Sequence, residues 1–246
     1  MNKKTLIPLK FLDKNVIWHP FTQMQDYEKI EPLIIKSGQG SYLFDIEGKK
    51  YLDGVSSLWV TVHGHRHPKL DRALKKQISK IAHSTLLGLG NVPSIELAEK
   101  LLKIIPKNLK KVFYSDSGSA AMEIGLKMAY QYWQLSPKAS DHRKKKFLTF
   151  KEAYHGDTIG SVSLGAIDLF HRIFKDLLFK TIQINGFDLV KTEKILKKNH
   201  KQIAAIAIEP MIQGAAGMLL QPKGFLKGLA RLAKKYNVLL ICDEVA

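Results

Sequence analysis

Two adjacent carboxylates, Asp243 and Glu244, follow the apolar run at residues 238–241. A carboxylate at the mouth of a buried strand is costly unless a cation or a hydrogen-bond donor meets it. Three partners would satisfy Asp243: a metal ion, a protonated ring nitrogen, or the free N–H groups of a helix that it caps. The sequence leaves these three open and makes Asp243 the first candidate for chemistry.

A second candidate is the run Ser117-Gly118-Ser119, which separates a short apolar segment from a predicted helix. Small residues let the backbone approach a ligand, and the free N–H groups at a helix start favour an anion such as phosphate. The run lacks the spacing of the Walker A loop and of the dinucleotide fingerprint. An ordinary helix cap by Ser117 or Ser119 is the alternative interpretation.

The third candidate is the turn Tyr154-His155-Gly156, which follows an apolar segment at residues 147–150. An aromatic ring and an imidazole at the carboxyl end of a strand can stack on a planar ligand. A turn at Gly156 with a half-buried tyrosine accounts for the same residues without a ligand.

Three histidines at alternating positions, His63, His65 and His67, raise the question of zinc. Alternation places them on one side only if the segment is extended, Arg66 repels a cation, and no carboxylate is near in sequence. The pattern favours a loop with hydrogen-bonded histidines, or a polar turn before Pro68. We expect no metal.

Beyond residue 110 the chain alternates between predicted strands and helices. The predicted strands are 112–114, 147–150, 181–184, 203–208 and 238–242. The predicted helices contain the stripe Met122, Leu126, Ala129 and Trp133 and the segments from about 188 to 199 and from about 224 to 236. Strands that are apolar on both faces predict an α/β fold, with a parallel sheet and helices on both sides. Ligands of such sheets bind beyond the carboxyl ends of the strands, where all three candidates lie.

The first part of the chain has a different pattern. Residues 41–45 and 50–52 predict a hairpin with its turn at Gly48. Two helices are predicted from their apolar faces: Leu70, Leu74, Ile78 and Ile81, then Ala98, Leu101, Leu102 and Ile105 before Pro106.

The 246 residues carry a formal charge of +17, and 45% of them are hydrophobic, which excludes a disordered chain. The charge raises binding to nucleic acid or acidic lipid as an alternative function. Lysine dominates the basic residues, whereas readers of nucleic acid favour arginine. The densest run, residues 142–146, is interpreted as a solvated face. We expect no nucleic-acid partner.

One cysteine, Cys242, excludes a disulfide framework and suits a reducing compartment. No apolar run reaches the roughly 18 residues that cross a bilayer. The sequence predicts a soluble, cytoplasmic protein without a membrane partner.

Four segments together resemble the class III aminotransferases, pyridoxal-phosphate enzymes of fold type I. They are residues 117–119 (SGS), 154–156 (YHG), 209–214 (EPMIQG) and 243–245 (DEV). Three more are similar to the branch of this family that acts in biotin biosynthesis: 18–24 (WHPFTQM), 53–59 (DGVSSLW) and 82–87 (AHSTLL). The resemblance extends from about Val16 to the last residue.

The resemblance implies the cofactor pyridoxal 5'-phosphate and assigns residues to it. Gly118 and Ser119 would hold the phosphate through their backbone, and Asp243 would pair with the pyridine nitrogen. Tyr154 and Val245 would lie against opposite faces of the ring. Tyr154 would also border the substrate.

The same resemblance implies a substrate, 8-amino-7-oxononanoate, which would receive an amino group and become 7,8-diaminononanoate. Phe21, Leu58 and Trp59 would shape its pocket. Many family members have a second tryptophan where Leu58 stands, and some have a tyrosine in place of Phe21. These differences leave the amino donor open between S-adenosylmethionine and lysine.

The resemblance also implies an architecture. Residues 1–60 would be the N-terminal segment of a small α+β domain, and residues 61–246 would form an incomplete large cofactor-binding domain. Family members are homodimers, so a homodimer is expected.

The family's Schiff-base lysine follows one strand beyond the Asp-Glu motif, and none of the 34 lysines matches its position. The sequence therefore predicts no catalytic residue within this chain, a truncated C-terminus, and an inactive chain on its own. The alternatives are another class III ω-amino acid aminotransferase or a non-catalytic remnant.

Overall fold

The computed structural model of the chain describes residues 3–137, 141–165, 167 and 172–245. The chain divides into two compact units, Met1–Leu109 and Lys110–Ala246. The domains predicted from the sequence, 1–60 and 61–246, differ from these units, and that assignment stays a prediction. Among the described residues, no helix has the length and apolar character that crossing a bilayer requires.

The second unit is built on a four-stranded parallel sheet, as the alternating pattern predicted. The strands of the unit are β4 (Lys146–Phe150), β5 (Ile182–Ile184), β6 (Ile203–Ile208), β7 (Ile212–Gln213), β8 (Leu219–Leu220) and β9 (Leu239–Cys242). The parallel sheet has the strand order β5-β4-β6-β9. Its α-helices are α5 (Gly118–Leu135), α6 (Ile159–Leu164), α7 (Leu189–Asn199) and α8 (Phe225–Lys235), and Arg172–Leu177 is a 3-10 helix. β7 and β8 form a separate antiparallel pair.

Helices cover both faces of this sheet. Every residue of the central strand β6 is therefore buried. On one face, Leu196 of α7 and Leu229 of α8 pack against Ile206. On the other face, the predicted stripe of α5 packs against the small residues Ala205 and Ala207. All four residues of that stripe are buried: Met122, Leu126, Ala129 and Trp133. The α/β fold with helices on both faces is therefore confirmed.

Two expectations for this unit are wrong. The segment 112–114 is not a strand, because it forms no ladder with a neighbouring strand among the described residues. The interpretation of residues 142–146 as a solvated face fails at Lys144, which is buried, while the other four residues of the run are exposed. Its Nζ donates to the carbonyl oxygens of His200 at 2.7 Å and Asn237 at 2.8 Å. It donates to a third carbonyl, that of Ile203, at 3.2 Å and lies 4.4 Å from the centre of the Trp133 ring.

The elements of the first unit are α1 (Lys3–Val16), α2 (Met24–Tyr27), β1 (Ile35–Gln39), β2 (Tyr42–Asp45), β3 (Lys50–Leu52), α3 (Pro68–Ile78) and α4 (Val92–Ile104). The three strands form a small antiparallel sheet in the order β1-β2-β3. The predicted hairpin is confirmed, since β2 pairs with β3 and Gly48 has a φ of 89° in the connecting turn. A positive φ of this kind suits glycine, which has no Cβ to clash.

The helices α3 and α4 form where the apolar periodicity predicted them, but no residue of either is buried. The predicted face of α3 is open, with Leu74 64% exposed, and Ile81 lies beyond the end of the helix. Pro68 begins α3, as its fixed φ favours, and Asn91 caps α4 by accepting from the N–H of Ser94.

A short turn, Ser56–Trp59, follows the hairpin and winds in the left-handed sense. All four of its residues have a positive φ, between 49° for Ser57 and 67° for Trp59. Each L-residue in this region costs roughly 1–2 kcal/mol, and only glycine avoids the cost.

Candidate active site

Asp243 lies where β9 ends, and its carboxylate has a buried partner. Nδ1 of His155 lies 2.7 Å from Oδ2 of Asp243, and their side chains are 0% and 7% exposed. The carboxylate only accepts, so Nδ1 carries the donated proton. Of the candidate partners for Asp243, the structure provides an imidazole. The described residues contain no group of three or more His, Cys, Asp or Glu that could hold a metal ion.

The N-terminus of α5 lies next to Asp243 in space. A Cβ added to Gly118 would come 3.3 Å from Cγ2 of Val245, two residues beyond Asp243. Ser117 caps the helix, because its Oγ accepts from the N–H of Ala120 at 3.1 Å. The capping interpretation is therefore correct for Ser117. The N–H groups of Gly118 and Ser119 belong to the first turn of the helix, so they lie outside its own hydrogen-bond ladder.

Ser119 joins this helix end to the turn after β4. Its Oγ accepts from the N–H of Asp157 at 3.1 Å, and its carbonyl accepts from Oγ of Ser161 at 3.2 Å. Gly156 has a φ of 107°, and a Cβ there would overlap Oγ of Ser119. Only glycine permits this approach, so the two loops meet because residue 156 has no side chain.

Tyr154 is fixed at both ends of the residue. Its N–H donates to Oε1 of Glu209 at 2.9 Å, and its hydroxyl donates to Oδ2 of Asp157 at 2.7 Å. Burial, reinforced by the hydrogen bond to Asp157, raises the pKa of the Tyr154 phenol. The phenol therefore stays protonated, and its ring has a set orientation.

Glu209 is a residue to which the sequence pattern assigned no role. It follows the fully buried β6, and its second oxygen, Oε2, accepts from the N–H of Gly214 at 3.0 Å. Burial raises the pKa of this carboxyl above its usual value. Gln213 reinforces the same junction by donating to the carbonyl of Lys151 at 3.1 Å. The signal in the sequence was a carboxylate directly after six apolar residues, which needs buried donors.

The structure thus brings together the cofactor residues predicted from the sequence. Gly118, Ser119, Tyr154, Asp243 and Val245 all lie in the second unit, at one edge of its sheet. Of the predicted substrate residues, Tyr154 lies in the second unit, whereas the other three lie in the first unit and are exposed: Phe21 by 69%, Leu58 by 71% and Trp59 by 44%. Their role stays a prediction.

His65, in the histidine run, has a carboxylate partner that is distant in sequence. Its Nε2 lies 2.8 Å from Oδ2 of Asp53, and both side chains are largely buried. The interpretation of this run as a loop with hydrogen-bonded histidines is confirmed for His65.

A family model for the aminotransferase class-III family matches residues 23–246. The chain belongs to the class III aminotransferases. The adenosylmethionine-8-amino-7-oxononanoate aminotransferase of Staphylococcus aureus is 54% identical over 254 residues, which cover 97% of this chain and 56% of that protein. The protein of the same name from Aquifex aeolicus is 50% identical and covers 95% of this chain, which spans 55% of it.

Solved structures agree with this family. A crystal structure of the adenosylmethionine-8-amino-7-oxononanoate aminotransferase of Methanocaldococcus jannaschii has a TM-score of 0.94 at 47% identity, covering 99% of this chain and 56% of that chain. An omega transaminase from Pseudomonas jessenii in complex with PMP has a TM-score of 0.86 at 29% identity, covering 95% of this chain and 55% of that one. This class III chain spans about half the length of the curated relatives it matches.

Class III aminotransferases use pyridoxal phosphate, and the residues at this sheet edge fit that group. The buried Asp243 carboxylate has Oδ2 occupied by His155, which leaves Oδ1 for a ring N–H. The N-terminus of α5 supplies backbone donors for a phosphate. Nε2 of His155 is buried without a partner among the described residues, so this ring nitrogen is available for a hydrogen bond with a bound group.

Proposed function

We propose that the protein is an aminotransferase of biotin biosynthesis, which transfers an amino group to 8-amino-7-oxononanoate and yields 7,8-diaminononanoate. The observation that carries the proposal is the buried Asp243–His155 pair beside the N-terminus of α5. The relatives at 54% and 50% identity are aminotransferases named for this substrate.

Asp243 would hold a proton on the pyridine nitrogen of the cofactor. A buried carboxylate favours a cation beside it, and the hydrogen bond from His155 fixes which oxygen faces the ring. When bound, pyridoxal phosphate supplies the electron sink that weakens the Cα–H bond of an amino substrate. The contribution of the chain is to keep that sink protonated and oriented.

The other cofactor residues would position the same group. The N–H groups of Gly118 and Ser119 would bind the phosphate, and the dipole of α5 adds to their attraction for an anion. Tyr154 and Val245 would pack against the two faces of the ring. The hydrogen bonds of Tyr154 to Glu209 and Asp157 support this role, because they hold the ring in place before a ligand arrives.

The pocket for the aliphatic chain of the keto acid would be lined by Phe21, Leu58 and Trp59, because its hydrocarbon needs apolar surface.

The relatives are named for adenosylmethionine, which favours S-adenosylmethionine over lysine as the amino donor. A homodimer working in the cytoplasm is part of the proposal. The small-molecule substrates follow from the aminotransferase family.

The test uses the complete gene product, purified with pyridoxal phosphate and supplied with 8-amino-7-oxononanoate and either donor. We expect 7,8-diaminononanoate by mass spectrometry. Asp243→Asn should lower turnover by at least about 100-fold, because an amide cannot hold the ring nitrogen protonated. Glu244→Gln, the exposed neighbour, is the matched control and should retain activity.

A second candidate is an aminotransferase for other ω-amino acids, favoured by the similarity to the Pseudomonas jessenii omega transaminase. Turnover of ω-amino acids without any product from 8-amino-7-oxononanoate would replace the first proposal with this one.

A further inference from the structure

The turn Ser56–Trp59 is the most strained segment of backbone in the first unit. Four consecutive residues that all carry a side chain have a positive φ, and Ser57 and Leu58 have φ, ψ pairs of 49°, 52° and 63°, 60°. Left-handed residues are normally single and are usually glycine, asparagine or aspartate. Strain of this kind persists only where surrounding interactions impose it, and it concentrates at functional sites.

Asp53 makes three hydrogen bonds that impose this conformation. Its Oδ1 accepts from the N–H of Ser57 at 2.9 Å, and its Oδ2 accepts from Oγ of Ser57 at 2.8 Å. Oδ2 also lies 2.8 Å from Nε2 of His65, so the carboxylate joins the turn to the histidine loop. The Asp53 side chain is 5% exposed, and water competes little for these bonds.

Asp53 and His65, which we call the clamp, are both held by backbone hydrogen bonds to the turn between β1 and β2. The N–H of Asp53 donates to the carbonyl of Ser41 at 2.9 Å. His65 exchanges two backbone hydrogen bonds with Gly40, at 2.8 and 3.0 Å. A Cβ on Gly38 would come 2.7 Å from Cγ of His65, so the absence of that Cβ makes room for the imidazole. Asp53 and His65 are therefore fixed before they act on the turn.

We propose that Asp53, supported by His65, is a positioning residue that sets substrate specificity by locking the turn left-handed. The lock holds the exposed apolar side chains of Leu58 and Trp59 in one orientation, as a preformed wall for the alkyl chain of the amino acceptor. A preformed wall binds more tightly than a loop that must be ordered on binding. This inference rests on the proposed function for the identity of the acceptor.

The experiment compares Asp53→Asn with the wild type in the complete gene product loaded with pyridoxal phosphate. Asparagine keeps one oxygen for the Ser57 N–H but places an amide donor where Oδ2 accepts from Ser57 and His65. Hydrogen exchange of a peptide covering residues 55–62 reports the turn, whose N–H groups at Trp59 and Val60 are bonded within it. KM and kcat for 8-amino-7-oxononanoate report how well Leu58 and Trp59 bind the alkyl chain of the acceptor.

Asp53→Asn should accelerate exchange in that peptide and raise KM about tenfold or more, with kcat changed much less. Ser57→Ala, which removes only the hydroxyl bond to Oδ2, should shift both quantities in the same direction by less, and it serves if Asp53→Asn does not fold. Ser56→Gly is the control: the Ser56 side chain takes no part in the hydrogen bonds of Asp53, so KM should be unchanged, and relief of strain should slow exchange rather than accelerate it.

Unchanged exchange in both Asp53→Asn and Ser57→Ala would overturn the clamp. Faster exchange with an unchanged KM would overturn the role of Asp53 in specificity. The proposed function would still stand in that case, provided that the wild-type protein turns over 8-amino-7-oxononanoate. If the wild-type protein transaminates other ω-amino acids and gives no product from 8-amino-7-oxononanoate, the proposed function fails. The KM comparison then applies to that acceptor, with the same two outcomes.

Discussion

The two units of this chain obey the same apolar periodicity but use it differently. Leu126 on α5 and Leu74 on α3 both lie on faces predicted by i, i+4 spacing, yet Leu126 is 4% exposed and Leu74 is 64% exposed. In the second unit the predicted face meets a sheet whose strand β6 is wholly buried. In the first unit no residue of α3 or α4 is buried. Periodicity therefore identifies a face and not what covers it.

The candidate functional residues follow the same division. Asp243 and Tyr154 follow the carboxyl ends of β9 and β4, two strands of the parallel sheet, so the sheet sets where these residues lie. Leu58 and Trp59 lie on a strained turn, which the polar side chains of Asp53 and His65 hold. The first set is carried by a packed sheet and then oriented by hydrogen bonds, whereas the second depends on hydrogen bonds within an exposed turn.

Truncating the two leucines tests this comparison most strongly. Leu126→Ala should lower the free energy of unfolding by about 2–5 kcal/mol, because it leaves a cavity in a closed core. Leu74→Ala should change it by less than about 0.5 kcal/mol, because that side chain is already largely in water. Urea unfolding of the two variants measures both. Equal losses would mean that the exposed face of α3 is covered in solution.

The next largest effect should come from Lys144. Lys144→Met leaves three carbonyl oxygens without their donor, and the loss should be about 2–4 kcal/mol after the gain from no longer burying a charge. Lys145→Met is the matched control, since its side chain is exposed and it should have little effect. A Lys144→Met variant as stable as the wild type would show that the three carbonyls find other donors.

Most of the second unit was predictable because its signals are local. Buried strands such as β6 have runs of apolar residues, and turn residues separate them from helices with a regular stripe. The convergence of residues 154–156 and 243–245 followed from a general property of parallel sheets, that ligands gather at the carboxyl ends of strands. Residues 117–119 join them at the start of α5, although the strand predicted before them does not form. The fold class and the group of candidate cofactor residues were therefore accessible from the sequence.

The rest depends on contacts between distant residues, which no local pattern encodes. Lys144 looked solvated because its neighbours are basic, yet its three acceptors lie 56 to 93 residues away. The segment 112–114 has strand composition but no neighbouring strand to pair with among the described residues. The left-handed turn at Ser56–Trp59 has no sequence signature, since none of its residues is glycine or asparagine.

Glu209→Gln should lower stability by less than Lys144→Met does, and it should disturb the hydrogen bonds to Tyr154 and Gly214 at the candidate site. The amide oxygen can accept from only one of the N–H groups of Tyr154 and Gly214, and the amide nitrogen then faces the other donor. We expect a loss of about 1–3 kcal/mol in urea unfolding. Glu152→Gln, at an exposed position in the turn after β4, provides the control. Unchanged stability of Glu209→Gln would place these N–H groups in contact with water.

The smallest expected effect is the acid response of the turn. Hydrogen bonds from the N–H and hydroxyl of Ser57, then from His65, lower the pKa of Asp53 from 3.8 to about 2. A carboxyl with a lowered pKa in the folded state stabilises that state above its unfolded pKa. This contribution is lost as the pH falls from 3.8 through about 2. The amide proton of Ser57 reports the carboxylate directly, so its NMR shift should titrate with a midpoint near 2 and should not titrate in Asp53→Asn. A midpoint near 3.8 would mean that the carboxylate gains nothing from its three donors, and the turn would then need another source of its handedness.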